Sequence, residues 1–333
     1  MGAAREFRPT RPTEGDSVTV LLTVTNNRGR RSPPLMMTEQ VGAQLIPVEI
    51  PSLAGGETRR LSHQIEMSRR GKYLMTAPTI GHSDPFRLFY THSPGAASVV
   101  LYVHPRVSRG VTPISTGGVR DAEGPTSASS PQGGIAFHSL RDYQPGDDWR
   151  LIHWRATAKR DELTVRHHVI PDEPRHVVFL DTSMAPYTDE TFDDAVRVAA
   201  SLCVAARSAG FPLQLMTTGG MSITLDGQNA LRDVTPALDL LSEVERSADH
   251  PGVASIASMP WRGEALALGV VTGQAQPSDL AMLSAVRSRF LTISLVQVGE
   301  LISKPGPAIR GVVGLGLRSS EEFAARWNQL VRS

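Results

Sequence analysis

Cysteine is all but absent from this chain of 333 residues: Cys203 stands alone. That excludes an internal disulfide and any cysteine-rich metal centre. Its place on the apolar stripe of a predicted helix makes it a small buried hydrophobe, in keeping with a reducing compartment. Lysine is scarce too. Lys72, Lys159 and Lys304 are the only three among 34 basic residues. Formal net charge is +1, so no global field points to nucleic acid or to an anionic membrane surface. No run approaches the roughly 20 apolar residues of a membrane span, and no signal-peptide core opens the sequence.

The composition, 40% apolar and 20% charged, is that of a globular protein long enough for two domains. From Val18 to Val103 the pattern has period two. Val18, Val20, Leu22 and Val24 alternate with Thr19, Leu21 and Thr23 before the turn at Asn26-Asn27-Arg28-Gly29. Short apolar runs recur at Gln44 to Ile50, Arg59 to Met67, Gly71 to Ile80 and Ala97 to Val103. This spacing predicts an immunoglobulin-like β-sandwich over residues 1–105. Residues 106–134, rich in Gly, Ser, Thr and Pro, read as a flexible linker or long loop.

The remainder, 135–333, alternates strands and helices. Val177 to Leu180 is a continuous apolar run of the kind buried in a parallel sheet. Phe192, Ala195, Val196, Ala199, Cys203 and Ala206 then form one helical face that stops at Gly210. Further helices are predicted from Leu231 to Val244 and from Ser278, as N-cap, to Phe290. Another opens at Ser319 or Ser320, and strands are predicted at Ala265 to Val271, Leu291 to Val298 and Ala308 to Leu315. The rhythm specifies a three-layer α/β domain with a mostly parallel sheet.

Ligands of such sheets bind beyond the carboxyl ends of the strands. There the sequence reads Asp181-Thr182-Ser183-Met184-Ala185. This resembles the metal-ion-dependent adhesion motif of von Willebrand factor type A domains, Asp-x-Ser-x-Ser with a distant Thr and a later Asp. Asp181 and Ser183 match. Ala185 replaces the second Ser, and Gly273 stands where the later Asp belongs. A hard cation needs about six oxygens, so the expected state is a degenerate, empty site, with Mg²⁺ or Mn²⁺ the ions it would otherwise take.

The densest cluster of charge and aromatics runs from Arg141 to His168. Pro145-Gly146 makes a turn, Asp147 or Asp148 can cap the helix that follows, and Lys159 and Arg160 complement its far end. Trp149, Ile152, His153 and Ala156 share one face; Asp148, Arg155 and Lys159 lie on the next. A capped amphipathic helix held by ion pairs explains much of this. A protein interface made of Arg141, Tyr143, Asp147, Asp148, Arg150, His153, Trp154, Arg155 and Lys159 explains the richness in Arg and Trp.

The segment resembles the signature of the domain of unknown function 58 family at Arg141, Tyr143, Gly146, Asp147, Asp148, Arg150, Ile152, His153, Trp154, Thr157 and Ala158. Leu163, Val165 and Arg166 continue it, and Arg70-Gly71-Lys72-Tyr73 and Asp84-Pro85-Phe86 resemble two upstream elements of the family. The resemblance implies a von Willebrand-type α/β domain and a MoxR-type AAA+ ATPase as partner. It also implies a pair of membrane helices ahead of the first residue here, which would anchor an otherwise cytoplasmic protein. The expected function is a non-catalytic adaptor or scaffold in assembly or maturation of other proteins, with no nucleic-acid partner. The alternatives are a divalent-metal-dependent ligand-binding module and a metal hydrolase built from Asp147, Asp148, His153 and His168. No Ser-His-Asp ordering, P-loop or His-Glu-x-x-His motif is present.

Overall fold

The computed structural model describes residues 1–42, 44–77, 79–83, 90–94, 97–115, 139–142, 157, 163–167, 175–226, 233–259, 261, 266–299, 309 and 311–332. The chain is rich in strands. β1 (Gly2–Arg8), β2 (Ser17–Thr25) and β5 (Thr58–Glu66) form one antiparallel sheet in the order β1-β2-β5. β3 (Leu35–Val41), β4 (Gln44–Ile50), β7 (Thr79–Ser83) and β8 (Tyr90–Pro94) form a second in the order β4-β3-β7-β8, and β6 (Gly71–Met75) pairs with β9 (Val99–Val103). The predicted alternation in β2 is real: Val18, Val20, Leu22 and Val24 are fully buried. The first two pack with Phe7, Ile65, Met67, Val41, Met75, Leu101 and Val103, which joins the sheets through one apolar layer. In these sheets, three strands escaped the sequence reading: β1, β3 and β8.

The α/β unit is a six-stranded sheet of β12 (Arg175–Leu180), β13 (Leu213–Thr217), β14 (Ser222–Leu225), β15 (Leu266–Thr272), β16 (Thr292–Val298) and β17 (Val312–Leu317). Their order is β14-β13-β12-β15-β16-β17, with β14 antiparallel and the others parallel. The order reverses between β12 and β15, and there the crevice opens at the carboxyl ends. Among the described residues, four helices flank the sheet: α1 (Asp189–Ser208), α2 (Thr235–Glu243), α3 (Pro277–Val286) and α4 (Phe323–Arg332). Val178 and Leu180 face α1, α2 and α4, whereas Val177 and Phe179 face α3 and the 3-10 turn Val253–Ser258. A strand buried on both faces must be apolar throughout, which is why β12 and β15 read as continuous runs.

Helix α1 follows its sequence closely. All six residues of the predicted stripe are buried. Gly210 ends the helix at φ +82°, with Phe211 N–H donating to Ala206 O and Gly210 N–H to Arg207 O, a Schellman cap. Burial pushes the Cys203 thiol up, as its packing role requires. Several boundaries differ. α2 opens at Thr235 rather than Leu231, and α3 ends at Val286, ahead of a 3-10 turn, rather than at Phe290. The N-cap before α3 is Gln276 rather than Ser278, because Pro277 takes the first helical position. Val312–Leu317 also sits later than the run predicted from Ala308.

The first ten residues of the expected flexible linker or long loop, which carry no helix or strand, are held against the α/β unit. Residues 106–115 form a strap on the α/β unit. Ile114 is 2% exposed in its core, Ser108 N–H donates to Ser201 Oγ, and Thr112 N–H and Oγ1 donate to Asn328 Oδ1. Trp327 Nε1 donates to Thr112 O at 2.7 Å. Backbone hydrogen bonding, which low apolar content does not forbid, holds this stretch. Residues 116–134 lie outside the described residues.

The strand layers and the α/β unit meet through a polar interface. Arg70 reaches Asp193, Leu241 O and Val244 O at 2.8–3.0 Å, and Lys72 pairs with Glu243. Arg197 clasps Glu14 through Nε and a terminal nitrogen at 2.6 and 2.9 Å, while Arg106 N–H donates to the same carboxylate. His104 and Arg11 converge on Asp239. Burial alone would raise the Glu14 pKa, but the bonds from Arg197 and Arg106 hold it below its usual 4.5. A depressed carboxyl contributes stability above the unfolded pKa, and that contribution is lost as pH falls through the folded value. Denaturant unfolding across acid pH is therefore expected to show wild-type stability falling below about pH 4.5. The Glu14→Gln variant should respond less steeply there; an identical slope would remove Glu14 from the interface energetics.

Candidate functional site

The best-defined polar cluster lies at the crevice between β12 and β15. Asp181 follows the last residue of β12, is 1% exposed and anchors its N–H on Val271 O. Its Oδ1 accepts Ser183 N–H at 3.0 Å, Ser183 Oγ at 2.7 Å and Thr218 Oγ1 at 3.4 Å. Its Oδ2 accepts Thr272 Oγ1 at 2.8 Å. Tyr187 OH donates to the Asp181 carbonyl at 2.8 Å, and burial above all pushes that phenol well up. The three strands β12, β13 and β15 thus each end in a hydroxyl or carboxyl that meets the others.

A carboxylate only accepts, so Thr218 gives its hydrogen to Asp181. Thr218 Oγ1 must then accept from Thr182 N–H at 2.9 Å and from Thr182 Oγ1 at 3.0 Å. Thr182 Oγ1 in turn accepts Gly219 N–H. His250 Nδ1 lies 3.0 Å from Thr182 Oγ1 and 3.1 Å from Thr182 O. The carbonyl cannot donate, so Nδ1 carries the hydrogen and Nε2 is the acceptor of the neutral ring. Gly219 permits this seat: a Cβ there would fall 2.6 Å from the imidazole.

Above the cluster lies a cleft of about 470 Å³ bounded by Met184, Pro186, His250, Val253, Gln274 and Asp279, among others. Its floor is stitched down. Ser247 N–H donates to Thr182 O, Met184 N–H to Ser247 O, and Gln274 N–H to Pro186 O.

The residues do not fit a resident divalent cation. Four donors already engage the Asp181 carboxylate, and Ala185 supplies no oxygen. Gly273 has no room for the later Asp, since its Cβ would stand 2.1 Å from Pro186 O and 2.7 Å from Tyr187 Cδ1. Among the described residues no three His, Cys, Asp or Glu side chains come together. Ser183 is where the motif placed it. Thr182, Thr218, Thr272 and His250 were missed; the signal available was a Thr at the carboxyl end of each neighbouring strand.

Of the charged segment, Arg141 lies on β10 (Ser139–Asp142), opposite Val165 of β11 (Thr164–His167). Val165 and Arg166, which continue the family resemblance, thus lie on a strand. Tyr143, Asp147, Asp148, Arg150, His153, Trp154, Arg155 and Lys159 lie outside the described residues, as does His168.

A family model described as Protein of unknown function DUF58 matches residues 139–225. "Uncharacterized protein YeaD" of Bacillus subtilis (strain 168) is 25% identical over 217 residues, 60% of this chain and 51% of that protein. The chain thus spans about half the length of that curated relative. Among solved structures, the solution structure of the CARDB domain of PF1109 from Pyrococcus furiosus covers 31% of this chain and 92% of its own, at 15% identity and TM-score 0.25. The crystal structure of that domain in complex with di-metal ions covers 31% and 85%, at 13% identity and TM-score 0.25. The match over residues 139–225 and the Bacillus subtilis relative together support the DUF58 family for this chain.

Proposed function

We propose that this chain is a non-catalytic adaptor whose α/β unit binds a protein partner, a MoxR-type AAA+ ATPase. We read the α/β unit as von Willebrand factor type A-like on its strand order and the strand-rich unit as immunoglobulin-like. The observation that carries the functional reading is the saturation of Asp181. A carboxylate that is 1% exposed and accepts four hydrogen bonds is committed to holding strand ends together. It organises a rigid rim around a cleft, and a rigid rim on strand ends suits recognition. The Arg141 to Lys159 segment supplies the residue types that dominate binding energy.

Co-expression with the MoxR-type ATPase of the same genome tests this. The full chain is expected to retain the ATPase on affinity capture, and Arg150→Ala and Trp154→Ala to lose it with an unchanged melting temperature. Undiminished capture by both variants would sink the reading.

A further inference from the structure

We propose that the cleft above Asp181 seats an apolar segment of the partner that carries a lysine or arginine side chain. The inference rests on the adaptor reading and names the chemistry of its partner at this site. One exposed methionine lines the cleft and a second lies on the helix that borders it. Met184, 42% exposed, lines it, and Met282, 41% exposed, lies three residues beyond the lining residue Asp279 on the same side of α3. Large exposed side chains usually mark a contact surface when they cluster, and the unbranched thioether adapts to varied apolar partners. Ala185, Pro186 and Val253 extend the apolar lining beside Met184.

Of the lining polar side chains not spent on the Asp181 cluster, Asp279 brings a carboxylate, while Gln274 and Gln276 bring amides that both donate and accept. Asp279 lines the cleft, and among the described residues its carboxylate accepts from the Ser278 hydroxyl alone, at 3.5 Å. Asp249 is exposed beside His250, and among the described residues neither carboxylate has an ion-pair partner. The nearby cation, Arg246, is engaged by Asp189 and by Tyr187 O. In the neutral form of His250 the one ring hydrogen sits on Nδ1 against Thr182, and Nε2 is an acceptor. A lining that holds methionine and carboxylate and, among the described residues, no lysine or arginine fits a ligand that brings apolar contact and a cationic N–H donor together.

Full chain labelled at the methyl groups of its ten methionines reports on this by NMR, with Met184→Leu and Met282→Leu assigning the two signals. The probes are acetyl-Leu-Arg-Leu-Arg-Leu-amide and its Glu counterpart. The Arg peptide should shift Met184 and Met282, the Glu peptide should not, and Asp279→Asn should weaken the Arg peptide about fivefold. Equal response to both peptides, shifts confined to other methionines, or no response at millimolar peptide would overturn the proposal. The adaptor reading is scored separately by ATPase capture, so peptide failure with capture intact removes only this inference.

Discussion

Replacement of Arg70 by alanine is expected to cost about 3–5 kcal/mol of stability, the loss typical of breaking a buried ion pair from one side. The Arg70 side chain is 7% exposed, and burial pulls its guanidinium pKa down despite Asp193. It binds Asp193 Oδ1, Leu241 O and Val244 O, and its guanidinium lies 5.3 Å from the Phe192 ring centre. Truncation leaves Asp193 to Arg69 alone and takes the donor from two carbonyls at the end of α2. Arg70→Lys should recover only part of the loss, because one ammonium cannot span acceptors that the planar fork reaches together. Denaturant unfolding followed by two probes, one in each unit, is the measurement. Wild type should unfold with coincident transitions and the alanine variant with separated ones. A loss below about 1 kcal/mol would assign Arg70 the modest worth of a surface ion pair.

The second large effect is expected at Gly273. Here space, not backbone conformation, requires glycine. A methyl group would overlap Pro186 O and the Tyr187 ring, so the loop that carries Tyr187 must move. Overpacking of this kind costs about 1–3 kcal/mol. Movement of Tyr187 also withdraws its hydroxyl from the Asp181 carbonyl, so Gly273→Ala should lower the melting temperature. Gly273→Asp restores the acid of the adhesion motif in sequence only. Calorimetry with Mg²⁺ and Mn²⁺ at millimolar concentration should show no saturable heat for either wild type or this variant. A micromolar site in the Asp variant, or an alanine variant as stable as wild type, would show that the loop yields easily.

Much of the architecture is legible in the residues. The alternation in β2, the stripe of α1 and the unbroken apolar runs of β12 and β15 each record which faces are buried. What escaped depends on partners distant in sequence. β1 has little apolar alternation and owes its place to pairing with β2. Asp181 draws its donors from Thr218 and Thr272, 37 and 91 residues away, and no local pattern announces them. The Arg69-Arg70-Gly71-Lys72 run reads as a family element in sequence and proves to be a bridge between units. Most of the charged segment from Arg141 lies outside the described residues, so its standing rests on residue type.

The strap at residues 106–115 carries a temporal consequence. Its seat is made from α1, β16 and α4, and its bonds to Asn328 and Trp327 span 216 and 215 residues. Contacts of such separation form late and slow folding. On the ribosome, the stretch just after the sandwich emerges long before the helix that holds it, and Ile114 stays solvent-facing for most of synthesis. The strand-rich unit can therefore mature early, while the α/β unit closes over the strap only when α4 arrives.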